Sequence, residues 1–319
     1  MCVGFWTLEH PDYALILCAN RDEFLARPTR PAAFHSFGSE HDDDDQNRRV
    51  LSGLDVSAGG TWLGIAPSTG RIAFLTNITE TPQSLPSSRG ELAPLFLLAP
   101  ESPDIEKLYP SSAQYAGFNL LLLSASPSPD GRGLEFPAPN VHLLTNNGAR
   151  GPLTSRPLHA NERRAGGLSN AAESAGGPAW AKVCAGVPLF SSVLEEFSAT
   201  GERGEEKLTE SLFELLRTEA PGPHTRATLR TTICVPPVRV TSNPDTPGPW
   251  YATRTATVLL IRRDGRALFV ERDVWRLKPK SKPNLQGEEE EEDETELAPP
   301  GDGEHRFRFE VGEACTKKM

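Results

Sequence analysis

Asp264-Gly265 stands between two apolar segments, Thr255–Arg263 and Arg266–Asp273, and an Asp-Gly pair in that setting is the strongest short signal of a β-hairpin. The same pattern recurs along the chain. Cys2–Leu8 and Tyr13–Ala19 flank the polar turn Glu9–Asp12, and Thr61–Ala66 and Arg71–Ile78 flank Pro67-Ser68-Thr69-Gly70. Phe118–Ser124 and Val141–Thr145 read as further buried strands, and Phe307–Val311 alternates as a last one. Helices are expected between them. Ser88-Arg89-Gly90-Glu91 has the form of a capping box ahead of Leu92–Ala99, where Pro94 falls in the tolerant first turn. Pro178–Phe197 is expected to be helical in part, interrupted at Pro188. Glu205–Glu219 sets Leu208, Leu212, Leu215 and Leu216 on one stripe and stops at Pro221. Strands, then helices, then strands again predict an α+β layered sandwich rather than a doubly wound parallel sheet.

The 319 residues could hold one large domain or two ordinary ones. Apolar residues make up only 37%, but the deficit is local: Asp42–Asp45 and the acidic run at 288–296 together carry 12 negative charges. Without them the formal net charge of -10 becomes +2, so the folded body is nearly neutral and the acidity belongs to solvated segments. We expect a single domain over 1–311, with loop insertions at 38–49 and 280–304 and a tail at 312–319. No basic face for nucleic acid is present. The N-terminal apolar stretch is too short and lacks the basic flank of a signal peptide, and no apolar run reaches the length of a membrane span. Five widely spaced cysteines without a CxxC pair fit reduced thiols in the cytosol or an organelle matrix.

If Leu8 pairs with Tyr13 across the first turn, Cys2 lies opposite Ala19 and shares a face with Arg21, one diagonal step away. Asp22 follows where the strand must bend. A one-residue slip would exchange the faces, yet Cys2 and Asn20-Arg21-Asp22-Glu23 stay at the same end of the hairpin. Initiator methionine is normally removed before a small residue such as cysteine. Removal would place an α-amine, titrating near 7.7–8.0, on the residue that carries the thiol, as base for its own nucleophile. A nearby guanidinium favours thiolate, and Asp22 could hold amine and arginine in place. The plain alternative is that Cys2 is a small residue packed at a strand start. The seven histidines show no metal spacing, and Gly59–Gly64 lacks the Lys-Ser/Thr ending of a phosphate loop; it reads as a turn with Trp62 as core or pocket wall.

Cys2, Asn20-Arg21-Asp22-Glu23, Ser52-Gly53-Leu54-Asp55, Gly59-Gly60-Thr61-Trp62-Leu63-Gly64, Thr76-Asn77, Arg89-Gly90-Glu91-Leu92, Gly117-Phe118-Asn119-Leu120 and Gly167-Leu168-Ser169-Asn170 occur in that order. This series resembles the NRDE family, also known as the transport and Golgi organization (TANGO) protein 2 family. Tyr251-Ala252-Thr253-Arg254-Thr255 also resembles the family's pattern, with Ala252 where Gly is expected. The two acidic runs and the proline-rich loops have no evident counterpart there.

That family is in turn similar to cysteine Ntn hydrolases, and the resemblance implies a four-layer αββα sandwich. It implies Cys2 as N-terminal nucleophile, and Arg21 and Asp22 as the pair that contacts it. The Asn77 backbone N–H and the Asn170 side-chain amide are implied as oxyanion donors, and Arg254 as a second site arginine. Two functional classes follow. One is a pocket protein acting in Golgi organization and secretion, or in haem or acyl-lipid handling, with no required cofactor and haem as a carried ligand; its compartment would be cytoplasmic, Golgi-associated or mitochondrial. The other is an N-terminal-cysteine amidohydrolase acting on a small amide or acyl substrate. Fold resemblance does not choose between them.

Overall fold

The computed structural model describes residues 2–38, 49–81, 85–100, 104–110, 113–131, 133–172, 180–197, 202–222, 224–241, 248–279, 295–298 and 303–312. Strands alternate with turns through the first half: β1 (Val3–Thr7), β2 (Tyr13–Phe24), β3 (Thr29–His35), β4 (Val50–Asp55), β5 (Leu63–Ala66), β6 (Arg71–Asn77), β7 (Phe118–Ser124), β8 (Ser126–Pro127) and β9 (Leu134–Glu135). Then come β10 (Val141–Thr145), β11 (Thr154–Pro157), β12 (Gly166–Leu168), β13 (Val238–Arg239), β14 (Trp250–Arg262), β15 (Arg266–Asp273), β16 (Arg276–Pro279), β17 (Thr295–Ala298) and β18 (Glu304–Glu310). The helices are α1 (Leu92–Leu97), α2 (Ile105–Leu108), α3 (Ala160–Arg164), α4 (Ala181–Glu196) and α5 (Glu202–Leu216).

One seven-stranded sheet runs β12-β1-β2-β14-β15-β18, with β13 also on β14; the other runs β11-β10-β7-β6-β5-β4-β3. The chain is therefore α+β with antiparallel sheets. Period-two alternation decides what each face meets. Leu15, Leu17, Leu259 and Phe269 of the first sheet and Ile72, Phe74, Leu121 and Leu123 of the second share one apolar cluster. Ile16, Cys18, Val258 and Val270 turn the other way, onto Val183 and Phe190 of α4 and Leu208 and Leu212 of α5. Ala73, Leu120 and Leu122 meet Leu92 and Phe96 of α1. Strands buried on both faces explain why Phe118–Ser124 and Tyr13–Ala19 are apolar without a break. Each such Leu or Phe contributes about 1.5–3 kcal/mol by leaving water.

Four expectations need correction. The first hairpin pairs Val3 with Asn20 and Thr7 with Ile16, two residues away from the predicted register. Leu8 leaves the ladder because its N–H bonds Arg163 O at 2.8 Å, and the turn is tied by Thr7 Oγ1 and His10 Nδ1, which accept from the N–H groups of Glu9 and Asp12. Asp264-Gly265 is not a two-residue turn. Ile261 pairs with Ala267, Gly265 N–H bonds Arg262 O, and Gly265 has φ of 90°, so a three-residue loop closes on a glycine bulge. Pro188 does not interrupt α4; it lies on the exposed face, so its ring meets solvent rather than the packed sheet. Finally, 280–304 is not loop throughout, since Thr295–Ala298 pairs with Arg276–Pro279. The acidic residues at 288–294 and Asp42–Asp45 lie outside the described residues. No helix among the described residues is long and apolar enough to cross a membrane.

Candidate functional site

The corrected register moves Cys2 from opposite Ala19 to the position facing Arg21. Its Sγ lies 4.0 Å from the Asp22 carbonyl oxygen, and its own carbonyl accepts from Ser169 Oγ at 2.7 Å. Cys2, Arg21, Asp22, Asn77 and Asn170 all line a cavity of about 550 Å³, which also has Trp62, Arg89 and Tyr251 in its wall. That volume is within the range of small-molecule sites.

Alternation along β2 separates the quartet. Asn20 turns to the helix side, where its Nδ2 donates to Leu216 O at 2.8 Å and Ile233 O at 3.0 Å, tying the strand to the end of α5. Arg21 turns the other way. It donates to Asp55 Oδ2 and Thr29 Oγ1 at 3.2 Å each, and its guanidinium stacks 4.1 Å from the Trp62 ring. Arg27 joins the same Asp55 oxygen at 2.7 Å, while the N–H groups of Ser57 and Ala58 bond the other. Burial alone would push the Asp55 carboxyl up, but Arg27 and Arg21 outweigh it and hold Asp55 below the ordinary carboxylate range.

Asp22 follows Asn20 to the helix side. Its Oδ1 accepts from Thr253 Oγ1 at 2.6 Å, and its Oδ2 lies 3.6 Å from Lys182 Nζ, both side chains 0% exposed. Tyr251 Oη donates to the Asp22 carbonyl at 3.0 Å. Burial pulls the Lys182 ammonium below its ordinary range, with Asp22 and then Cys2 opposing. Lys182 is the residue that sequence reasoning missed. A single lysine near a helix start reads as a surface charge, and only the packing of α4 on β1 and β12 turns it inward to Asp22 of β2.

Asn77 ends β6. Ile78 N–H bonds Gly117 O and Leu75 N–H bonds Trp62 O, so alternation directs the Asn77 N–H away from β7, toward the cavity side where Gly60 and Thr61 lie. Asn170 Nδ2 donates to Asn77 O at 2.5 Å, and Thr79 N–H to Asn170 O at 2.8 Å. Half of the Asn170 amide donor capacity therefore holds the end of β6. Arg254 is not brought to the cavity wall. It is the extra residue of a bulge between Thr253 and Thr255, and it donates to the carbonyls of Phe24 and Arg27. Burial, then the neighbouring Arg21, lowers its affinity for its proton. Gly60 is required at the rim: a Cβ there would stand 1.7 Å from Gly90 O. Among the described residues no group of three or more His, Cys, Asp or Glu side chains could hold a metal ion.

Fold and site together define an α+β protein with a thiol, two asparagines and Asp22, itself paired with buried Lys182, at one cavity. The family model "Transport and Golgi organisation 2" matches residues 1–276, and the chain belongs to that family. It is 34% identical over 299 residues to the Transport and Golgi organization protein 2 homolog of Bos taurus, covering 86% of this chain and 93% of the relative. The Homo sapiens homolog is 30% identical over 298 residues with the same coverage. Over 136 residues, 38% of this chain and 45% of the relative, it is 33% identical to the Transport and Golgi organization protein 2 of Drosophila melanogaster.

Proposed function

We propose that this chain acts in Golgi organization and secretion through a cavity that binds a small acyl- or amide-bearing ligand against Cys2. The observation that carries this reading is the convergence of Cys2, Asn77 and Asn170, from three separate elements, on one cavity with an apolar wall. The relatives' names, Transport and Golgi organization, suggest the cellular setting; cell fractionation separates Golgi residence from a mitochondrial one. The three largest apolar clusters, one between the sheets and one under each pair of helices, support the reading of the fold as a four-layer αββα sandwich of the Ntn kind. Calorimetric titration with hexanoyl glycinamide tests the binding. Saturable heat is expected from the full chain and a weakened one from Ala116→Trp, which sets an indole into the cavity wall; equal heats from both would refute the assignment. Restoration of secretion in cells lacking the protein is expected from the wild type and less fully from Ala116→Trp.

The second reading is an amidohydrolase with Cys2 as nucleophile. It is favoured by the inward Asn77 N–H, a donor of the kind that steadies an oxyanion. The thiolate would attack the amide carbonyl, the amine would leave with a proton, and water would release the acid from the thioester. This route requires removal of Met1, so an intact mass that retains methionine ends it without touching the binding proposal. Were haem carried, the Cys2 thiolate and the Tyr251 phenolate are the described cavity groups that could hold its iron. A Soret shift on titration, lost in Cys2→Ser or Tyr251→Phe, tests that.

A further inference from the structure

We propose that Arg89 is the anion-recognition residue of this cavity and that the ligand carries a carboxylate group. The inference rests on the binding reading above and adds a charge to it. Four arginines line the cavity, and they are not equivalent. Arg21 and Arg27 are committed to Asp55. Arg226 is exposed at residue level and contributes little specificity. Arg89 is half-buried in the turn Arg89–Glu91 and, among the described residues, has one hydrogen bond to the protein, from Nη1 to Gly117 O at 2.9 Å. Among the described residues no carboxylate lies within ion-pair distance of it.

Glu80, the acid whose charge acts most on Arg89, is turned to backbone N–H groups instead of to the guanidinium. Glu80 Oε1 accepts from Gly117 N–H at 2.6 Å and Oε2 from Ala149 N–H at 2.8 Å, which fixes the carboxylate on the loop beneath. Burial therefore works against the Arg89 cation, with Glu80 and Glu23 offsetting it only from a distance. A guanidinium has five N–H donors in a planar fork, and one is spent on Gly117. The remaining fork suits a bidentate carboxylate. The lining carries four arginines against Asp22, Glu23, Asp55 and Glu80, a balanced set. A monoanion suits it better than a doubly charged phosphate, which would add two negative charges beside buried Asp22 and half-buried Glu23, Asp55 and Glu80. The ligand class is then an acyl or amide compound with a free carboxylate, apolar enough to lie along Trp62, Leu75 and Ile78.

Alkylation by iodoacetate and by iodoacetamide, which differ in charge and little in size, tests this on the full chain. Cys184 is exposed on the outer face of α4 and provides the reference within the same molecule. Peptide mass spectrometry gives the iodoacetate-to-iodoacetamide rate ratio at Cys2 relative to Cys184. A charge-assisted bond in a half-exposed site should favour iodoacetate at Cys2 by about tenfold. Arg89→Met should bring that ratio to the Cys184 value, and Arg89→Lys should keep part of the preference. A preference that survives Arg89→Met in a variant with wild-type circular dichroism overturns the proposal, as does a wild-type ratio equal to that of Cys184. Cys2 inert to iodoacetamide as well would instead overturn the underlying reading that the thiol is open to the cavity.

Discussion

Replacing Lys182 by methionine removes one half of the buried pair beneath Cys2 while keeping a side chain of similar length. The ammonium and the Asp22 carboxylate are 3.6 Å apart with both side chains 0% exposed. At an effective dielectric constant of about 20, Coulomb attraction at that distance is about 5 kcal/mol. Part of it offsets the cost of burying the two charges, so the variant should lose about 3–5 kcal/mol, the range found when one partner of a buried pair is removed. Urea denaturation followed by circular dichroism at pH 7 measures this. The double variant Asp22→Asn/Lys182→Met should recover most of the loss. Asn keeps an acceptor for Thr253 Oγ1, and no charge is then left in the apolar layer. A Lys182→Met loss under about 1 kcal/mol, or a double variant no better than the single, would refute the claim that the pair is a coupled buried unit.

Other perturbations have equally definite outcomes. Glu271 is 2% exposed, and burial raises its carboxyl from an ordinary 4.5 to about 7, against the opposing bond from Ala32 N–H. The folded state thus holds a proton that the unfolded chain gives up. The contribution is complete below about pH 4.5 and is lost as the pH rises through about 7. Glu271→Gln should be more stable than the wild type at pH 8 by about 3 kcal/mol relative to their difference at pH 4.5, read from paired urea melts. Gly60→Ala forces a methyl onto Gly90 O, a backbone atom that cannot rotate away, and should cost about 3 kcal/mol. Its cavity should also bind hexanoyl glycinamide less tightly, as calorimetry would show.

Much of the frame could be read from local pattern. Turn residues between apolar segments located the hairpins, and the leucine stripe of α5 was visible at its own spacing. Proximity of Cys2 to Arg21 and Asp22 also followed from turn position, because a hairpin brings its two ends together whatever its register. What failed depended on partners distant in sequence. Leu8 slips from the ladder for a carbonyl at Arg163, and Lys182 is buried because Asp22 meets it from β2. Asn77 and Asn170 are joined across 93 positions. No periodicity encodes such a contact; the family resemblance placed both residues, and the structure adds that Asn170 braces the end of β6. Arg254 shows the reverse case. A bulge of one residue sends it to the Phe24–Arg27 loop, and nothing in an alternating strand announces where a bulge will fall.

The central claim is that a ligand sits in the cavity lined by Cys2, Trp62 and Asn77. Photo-crosslinking with a diazirine-bearing hexanoyl glycinamide, followed by peptide mapping, tests it most directly. The account predicts adducts on the peptides that contain Cys2, Trp62 and Asn77, suppressed by excess unlabelled hexanoyl glycinamide and reduced in Ala116→Trp. Adducts spread over outer surfaces such as the exposed face of α4, or unchanged by Ala116→Trp, would contradict it.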